Sequence, residues 1–299
     1  MPVLTLGPVK INYLQLPPSQ PKASEVLDVV LIHGLGANLG FWFFNIAPAL
    51  ADLARVTLFD LRGHGRSSMP PAGYRLNDFA ADLGALLDHL EIRRPHLVGH
   101  SLGGAVMTNY VVHHPQRPAS LTFVDVRLKL FQPTMTLADW PSWPLVQPLL
   151  DEMGIVLHPE QGELSYQLLR EIARLQWEAP ERGEALRSRL SGSLLAGFGF
   201  SHAGGRRTAG TLLQLLDRTT ALPDLSREDG LTRSQLQTIN CPVAGVYGGA
   251  SPTLSTLSAL ESVWPRLRSW VIPEAGHFFP TTQPKALIVP LREFLSEMA

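Results

Sequence analysis

The sequence predicts an α/β fold in which a mostly parallel sheet, flanked by helices, carries an inserted helical cap. Three observations lead to this prediction. Short apolar runs of strand length alternate with longer helical patterns in the first and last parts of the chain. A glycine-rich turn with a serine at its centre directly follows one of these runs. Between residues 127 and 236 the alternation stops, and that segment has no convincing strand pattern.

The predicted strands are short apolar runs, as is typical of strands that are buried on both faces of a sheet. They cover residues 9–14, 26–32, 55–59, 95–98, 121–126, 243–247 and 267–272. Apolar residues at helical spacing predict a helix over residues 77–90, a second follows the serine turn at 104–113, and a closing helix covers 284–298.

The segment from 127 to 236 is predicted to be a helical cap, and residues 1–126 and 237–299 are predicted to form the core. The cap contains helical patterns, such as residues 164–175, and many aromatic residues. Its residues 192–210 include six glycines. This glycine-rich stretch is either a lid that moves or a poorly packed loop.

The composition predicts a globular protein with a substantial core, because 45% of the 299 residues are hydrophobic and 17% are charged. The formal net charge of −1 gives no reason to expect nucleic acid or an anionic membrane as a partner. No apolar run reaches the roughly 18 residues of a membrane span. A single cysteine, Cys241, and the absence of a signal-peptide pattern lead us to expect a cytoplasmic protein.

Ser101 is the predicted nucleophile. It lies at the centre of Gly-His-Ser-Leu-Gly at residues 99–103, after one apolar run and before a predicted helix. This is the strand–turn–helix context in which G-x-S-x-G lifts a serine hydroxyl above a sheet on a strained turn. A serine hydroxyl is a weak nucleophile, so it needs a base, an orienting carboxylate and donors for the oxyanion.

His277 is the predicted general base. In the fold that carries this serine turn, the acid and then the histidine follow the serine along the chain. Beyond the helix that Ser101 starts, the histidines are His158, His202 and His277, and the first two fall in the predicted cap. His277 comes just after the last predicted strand, at the edge of the sheet where Ser101 should emerge.

The oxyanion donors are predicted to be backbone amides, because these are fixed in place before the reaction begins. The residue after the nucleophile, Leu102, supplies one of them. The other is expected from His-Gly-Leu-Gly at residues 33–36, after an early strand, where the glycines let the backbone approach a substrate. We therefore predict the Leu35 amide as the second donor and Gly34 as a substrate contact.

Four motifs in order along the chain carry a resemblance to a known family. They are residues 33–36, residues 60–67 (Asp-Leu-Arg-Gly-His-Gly-Arg-Ser), the serine turn with its extra Gly104, and Ala-Gly-His at 275–277. Together they resemble the α/β-hydrolase superfamily over the chain outside the predicted cap. The resemblance implies an eight-stranded, mostly parallel sheet with a lid over the serine. We expect residues 60–67 to be architectural.

The acid departs from the pattern of many such relatives, in which it follows the next-to-last strand. Ser251 stands at that position, and the chain has no aspartate after Asp229. Asp125, at the end of the preceding strand in the sheet, is the better candidate, and some members of the superfamily are similar in placing their acid there. The alternatives are Glu274, or a Ser–His dyad in which Asp125 is only structural.

We therefore predict a serine hydrolase that cleaves carboxylic esters of small hydrophobic molecules through an acyl-enzyme. Trp42 and Phe278 are predicted to line an apolar substrate pocket. The spacing of His, Cys, Asp and Glu residues suggests no metal site, and there is no phosphate-binding glycine loop. No metal or cofactor is expected.

Three alternatives stay open. One is a thioesterase that releases an acyl chain from CoA or an acyl carrier, with basic residues facing the carrier: Arg127, Lys129, Arg206 and Arg207. Another is C–C bond hydrolysis or perhydrolysis at the same site. The last is a ligand receptor of low turnover built on the same fold.

Overall fold

The computed structural model describes residues 1–19, 26–135, 143–152, 154–158, 164–179, 181 and 205–298. In this part of the chain the strands are β1 Val3–Leu6, β2 Val9–Leu16, β3 Leu27–Ile32, β4 Ala54–Phe59, β5 His96–His100, β6 Ser120–Val124, β7 Val243–Gly248 and β8 Arg268–Ile272. Most of the predicted glycine-rich stretch, residues 192–204, lies outside the described residues, and so does His202.

From β3 onward each strand is followed by one described α-helix, except that five follow β6 and two follow β8. The helices are α1 Gly40–Phe43, α2 Leu76–His89, α3 Leu102–His113, α4 Trp143–Glu152, α5 Leu164–Glu178, α6 Gly205–Arg218, α7 Ala221–Ser226, α8 Arg233–Gln237, α9 Leu254–Val263, α10 Phe279–Thr282 and α11 Pro284–Ser296.

The strands form one sheet in the order β1-β2-β4-β3-β5-β6-β7-β8. β1 pairs with β2, and β2 pairs with β4, both in antiparallel fashion. Every other neighbouring pair is parallel. The predicted eight-stranded, mostly parallel sheet is thus confirmed for the described residues. Because β5 to β8 are parallel neighbours, the chain segments that leave their carboxyl ends emerge at one edge of the sheet.

The short strand β1 was not predicted, because Val3–Leu6 alternates exposed and partly buried residues and has no continuous apolar run. It lies at the edge of the sheet and pairs only with β2. The other strand boundaries differ from the predicted ones by at most two residues. Differences of this size arise because an apolar run fixes the buried part of a strand better than its ends.

The core has one hydrophobic cluster on each face of the sheet. One cluster includes α2 and α3 side chains, with Phe79, Leu83 and Val106 fully buried. The other includes Trp42, Leu291 and Leu295, which belong to α1 and α11. Burying such a side chain contributes about 1.5–3 kcal/mol each. The helices thus hold the central strands from both sides and leave the carboxyl edge of the sheet for the loops.

Between β6 and β7 the described elements are helices α4 to α8. α5 and α6 pack closely together where Gly210 meets the Trp177 ring. A methyl group on Gly210 would lie 2.7 Å from that ring, so this contact requires a glycine. The division of the chain into a core and a cap at residues 127 and 236 stays a prediction.

Candidate active site

Ser101 lies on a strained turn between β5 and α3. Its φ of +52° and ψ of −122° are a conformation that residues with a side chain rarely adopt. The turn is tight because β5 and the start of α3 nearly touch. A methyl group on Gly99 would lie 2.6 Å from the Cα atom of Gly104. The glycines of the motif are therefore a steric requirement for presenting the serine at the edge of the sheet.

His277 and Asp125 come together although 152 residues separate them in the sequence. His277 follows β8, Asp125 follows β6, and the His277 Nδ1 atom donates a hydrogen bond of 2.7 Å to Asp125 Oδ1. This bond places the ring proton on Nδ1, so Nε2 of the neutral imidazole carries a lone pair. Glu274, the other predicted candidate for the acid, is exposed. The geometry thus pairs His277 with Asp125.

The Asp125 carboxylate is fully buried and receives four donors. The Gly248 amide donates to Oδ2 at 2.7 Å. The Thr253 hydroxyl donates to Oδ1 at 2.6 Å, and the Ser251 hydroxyl also donates to Oδ1. With His277, these groups satisfy both oxygens. Burial alone would raise the pKa of Asp125, but the donors and the attraction to His277 hold that pKa below its usual value.

Ser251 and Thr253 are polar groups at the site for which no role is predicted from the sequence. Ser251 is identified there only as the position at which many relatives carry the acid. In the structure its hydroxyl and that of Thr253 are buried against the carboxylate that takes the place of that acid. The signal in the sequence was their position, since both follow β7 on the same sheet edge as Asp125.

His100 supports the loop that carries His277. Its Nε2 atom donates to the main-chain oxygen of His277 at 2.9 Å, and its ring stacks on Phe41 with 4.6 Å between the ring centres. Burial lowers the pKa of His100 to about 3, so its ring is neutral. His100 thus links the end of β5 directly to the loop after β8, which holds His277.

A cavity of about 330 Å³ connects these groups. Ser101 and His277 both line it, together with the predicted oxyanion and substrate-contact residues Gly34, Leu35, Leu102 and Phe278. Further lining residues come from the segment after β6, and they include Arg127, Lys129, Met135, Tyr166, Leu169 and Leu225.

Trp42 is the predicted substrate contact that the structure does not bring to the cavity. Its side chain is fully buried in the hydrophobic cluster on the α1 face of the sheet. It meets the His100 ring edge-on, with 6.3 Å between the ring centres. We therefore correct this prediction, since α1 turns Trp42 toward the core and behind the site. Phe278, the other predicted aromatic contact, lines the cavity.

The four basic residues considered for an acyl carrier occupy different places. Arg127 and Lys129 line the cavity, and both donate to main-chain oxygens. Lys129 Nζ lies 2.9 Å from the Arg227 oxygen and thereby ties the segment after β6 to the chain beyond α7. Arg206 and Arg207 are exposed on α6, and Arg206 lies over the Trp177 ring. These positions give the carrier hypothesis at most two residues at the cavity.

The residues after β4 form a second polar corner, centred on Asp60. The Asp60 carboxylate accepts hydrogen bonds from the Asn12 side chain at 2.7 Å, the Leu39 amide at 2.7 Å and the Arg66 amide at 2.8 Å. These donors join β2, the start of α1 and the loop after β4. Such a set of contacts is that of an architectural residue.

The described residues contain neither a candidate metal site nor a candidate membrane-spanning helix. They contain no group of three or more His, Cys, Asp or Glu side chains arranged to hold a metal ion. No helix among them is both long and apolar enough to cross a membrane.

Comparison with known proteins assigns the family. The family model of the alpha/beta hydrolase fold matches residues 29–284. The chain belongs to the α/β-hydrolase fold family. The matched region contains the serine turn, Asp125, Ser251 and His277, which are the main residues of the candidate site.

The relatives within this hydrolase family have different named activities. The fluoroacetate dehalogenase of Burkholderia sp. is 29% identical, over 90% of this chain and 87% of its own. The 3-oxoadipate enol-lactonase 2 of Acinetobacter baylyi is 25% identical, over 95% of this chain and 92% of its own. A carboxylesterase structure from Nitrososphaera gargenis matches 99% of this chain and 98% of its own, with 21% identity and a TM-score of 0.66.

Higher identity is confined to shorter stretches. The acetyltransferase component of the acetoin cleaving system of Pseudomonas putida is 47% identical over 96 residues, which are 32% of this chain. The present chain spans only 26% of that protein's length.

Proposed function

We propose that this α/β hydrolase cleaves carboxylic esters of small hydrophobic molecules through a covalent acyl-enzyme. One observation carries the proposal: a serine on a strained turn and a histidine bonded to a buried carboxylate line one cavity. A nucleophile, a base and an orienting acid are the groups that acyl transfer requires.

The steps of the proposed reaction follow from the positions of the protons. The Nδ1 proton of His277 is held by Asp125, which leaves the lone pair on Nε2 to accept the Ser101 hydroxyl proton. Ser101 Oγ attacks the ester carbonyl, and the alcohol leaves with the proton that His277 returns. Water then attacks the acyl group on Ser101, with His277 again as the base.

The negative charge that develops on the carbonyl oxygen needs fixed donors. We propose the backbone amides of Leu35 and Leu102, because both residues line the cavity beside Ser101. Neither amide has to reorganise during the reaction. Removing one such donor typically costs about 10²–10³ in turnover.

The cavity supports a small hydrophobic substrate. Its volume of about 330 Å³ is at the lower end of the range for small-molecule sites, and leucines, Met135 and Phe278 contribute to its wall. We propose residues 127–236 as the cap over this site, because described residues of that segment, such as Met135 and Tyr166, line the cavity together with Ser101. The reaction proposed here uses no metal and no cofactor.

A dehalogenase activity is not proposed, although one relative carries that name. Dehalogenases and epoxide hydrolases of this fold need a carboxylate at the nucleophile position. Position 101 is a serine, whose acyl chemistry fits ester cleavage. The lactonase relative carries a name that implies the opening of a cyclic ester, and this agrees with the proposal.

Covalent labelling tests the nucleophile. A fluorophosphonate probe should add to Ser101, and mass spectrometry of the digested protein should find the adduct there alone. Ser101→Ala should abolish labelling and steady-state ester hydrolysis while leaving the fold intact. An adduct at another residue would refute the assignment.

A substrate panel tests the bond that is cleaved. We expect p-nitrophenyl esters of short and medium acyl chains to turn over faster than acyl-pantetheine thioesters of the same chains. A preference for the thioesters would support a thioesterase. Labelling of Ser101 without steady turnover of any ester would support a ligand receptor, and turnover confined to a C–C bond substrate or to peracid formation would redirect the assignment.

A further inference from the structure

We propose that Ser251 and Thr253 are positioning residues, which act through Asp125 to hold His277 in the orientation of a general base. The inference rests on the proposed function, because it assigns a role within the same reaction. It concerns the side chains on the loop after β7, which occupy the position where many relatives carry the acid itself.

The two hydroxyls bond to the Asp125 oxygen that matters for catalysis. Ser251 Oγ and Thr253 Oγ1 both donate to Oδ1, the same oxygen that accepts the His277 Nδ1 proton. The other oxygen, Oδ2, is held by the Gly248 amide at 2.7 Å. A carboxylate with donors on both oxygens cannot rotate without breaking at least one charge-assisted hydrogen bond.

Both hydroxyls are in turn fixed. Ser251 and Thr253 are 3% and 2% exposed, and their hydroxyl oxygens lie 3.1 Å apart. The Thr253 amide also donates to Ser251 Oγ at 3.3 Å. The pair is therefore buried and bonded within one turn of chain, so it restrains the carboxylate more firmly than exposed groups or water would.

A reason for this arrangement lies in the backbone at Asp125. Its φ of +49° is unusual for a residue with a side chain, and the carboxylate starts one strand farther from β8, the strand that precedes His277, than an acid at position 251 would. We infer that the hydroxyls after β7 compensate for this displaced origin by holding the carboxylate toward His277. Position 251 thus supports the acid without supplying it.

Three variants test the proposal while keeping the shape of the site. Ser251→Ala removes one donor, Thr253→Val removes the other at nearly constant volume, and Thr253→Ser retains it. We expect kcat/KM to fall about 10-fold for each of the first two variants and about 100-fold for the double variant, since bonds to charged groups are strong. Thr253→Ser should retain most of the wild-type kcat/KM, because it keeps the hydroxyl donor.

A double-mutant cycle separates positioning from a general structural effect. If Ser251 acts through Asp125, then Ser251→Ala should change the residual rate of Asp125→Asn by less than about twofold. Equal losses in both backgrounds would overturn the proposal. Ser67→Ala is the matched control, since its hydroxyl donates to the main-chain oxygen of Asp60 at the other polar corner. It should leave the rate unchanged.

A spectroscopic measurement keeps this test apart from the test of the reaction. The proton between His277 Nδ1 and Asp125 should give a downfield proton resonance, identified by its loss in His277→Gln. We expect that resonance to shift or broaden in Ser251→Ala and in Thr253→Val, but not in Thr253→Ser or Ser67→Ala. An unchanged resonance and rate in the folded double variant would refute the positioning role. A shifted resonance in a protein that cleaves no ester would refute only the proposed function.

Discussion

Two buried carboxylates lie at the ends of parallel strands of this sheet, and they differ in the groups that donate hydrogen bonds to them. Asp60, after β4, accepts hydrogen bonds from an amide side chain and two backbone amides. Asp125, after β6, accepts from a backbone amide, two hydroxyls and the ring of His277. Only the last donor is an imidazole ring, a group that can serve as a general base.

The same kind of residue thus serves structure at the Asp60 corner and, in the proposed reaction, catalysis at the Asp125 corner. The donors around Asp60 are one amide side chain and two backbone amides, so that carboxylate joins three chain segments. At the Asp125 corner two donors, His277 and Thr253, also line the cavity with Ser101. Burial and hydrogen bonding alone do not separate the two residues, whereas the titratable partner facing the cavity does.

The largest expected effect is on the pH dependence of the free energy of unfolding. It comes from histidines that are buried near the two corners and elsewhere in the sheet. Burial lowers the pKa of His33 and His96 to about 4 and that of His64 and His100 to about 3. The unfolded chain binds a proton at each of these rings below a pH of about 6.5, and the folded protein does not. The free energy of unfolding should therefore decrease as the pH falls from about 6.5 toward 3.

Each pH unit below about 6.5 removes up to about 1.4 kcal/mol for each ring that stays neutral in the folded protein. Asp125 has the same sign but acts at lower pH. Its pKa is lowered, so its stabilisation is present above the ordinary aspartate range and is lost only at lower pH. Urea unfolding at pH 8 and pH 5 measures the difference, and an equal free energy at both values would contradict it.

The next effect is on activity. Asp125→Asn should lower kcat on the order of 10⁴-fold, or about 5 kcal/mol, because the amide favours the wrong imidazole tautomer and lacks the charge that stabilises the imidazolium. Glu274→Gln is the matched control, since it removes a carboxylate from the exposed part of the same loop as His277. It should leave kcat near the wild-type value.

Near-wild-type turnover of a folded Asp125→Asn protein, confirmed by circular dichroism, would remove Asp125 from the proposed reaction. A large loss in Glu274→Gln would instead assign the acid to the β8 loop. A loss confined to the yield of folded Asp125→Asn would make Asp125 resemble Asp60, and the comparison between the two corners would fail.

Asp60→Asn should have the reverse profile. The amide presents N–H groups to backbone donors that need an acceptor, so the free energy of unfolding should fall by about 1–3 kcal/mol. The folded fraction should retain its kcat, because Asp60 contacts neither His277 nor the cavity. Urea unfolding and active-site titration with the fluorophosphonate probe measure the two quantities separately, and a loss of kcat in titrated enzyme would contradict the architectural role.

The features that the sequence predicts are mainly those that depend on local contacts or on the order of elements along the chain. The serine turn was predictable because steric exclusion acts between neighbours: Gly99 and Gly104 are five residues apart and nearly touch. The eight-stranded sheet followed from apolar runs and from the family resemblance, and it is confirmed for the described residues. The position of His277 followed from the order of the elements along the chain.

Contacts between distant residues were harder to predict. Ser251 lies 126 residues from Asp125, and no local pattern says that its hydroxyl donates to that carboxylate. Trp42 was assigned to the cavity from its place after the oxyanion loop, but the direction of its side chain depends on how α1 packs. An aromatic residue near a site in sequence faces either the core or the cavity, and only the packing decides between them.

The smallest expected effects come from hydroxyls that bond to backbone at the two corners. Tyr247 donates to the main-chain oxygen of Val126, next to Asp125, at 3.0 Å, and Ser67 donates to that of Asp60 at 2.6 Å. Tyr247→Phe and Ser67→Ala should each lower the free energy of unfolding by about 1 kcal/mol, since each leaves one carbonyl without that partner. Neither should change kcat/KM, because the four donors on the Asp125 carboxylate remain. If Tyr247→Phe lowers kcat/KM tenfold without a larger loss of stability, the backbone at Val126 also orients Asp125, and the carboxylate contacts alone do not account for its position.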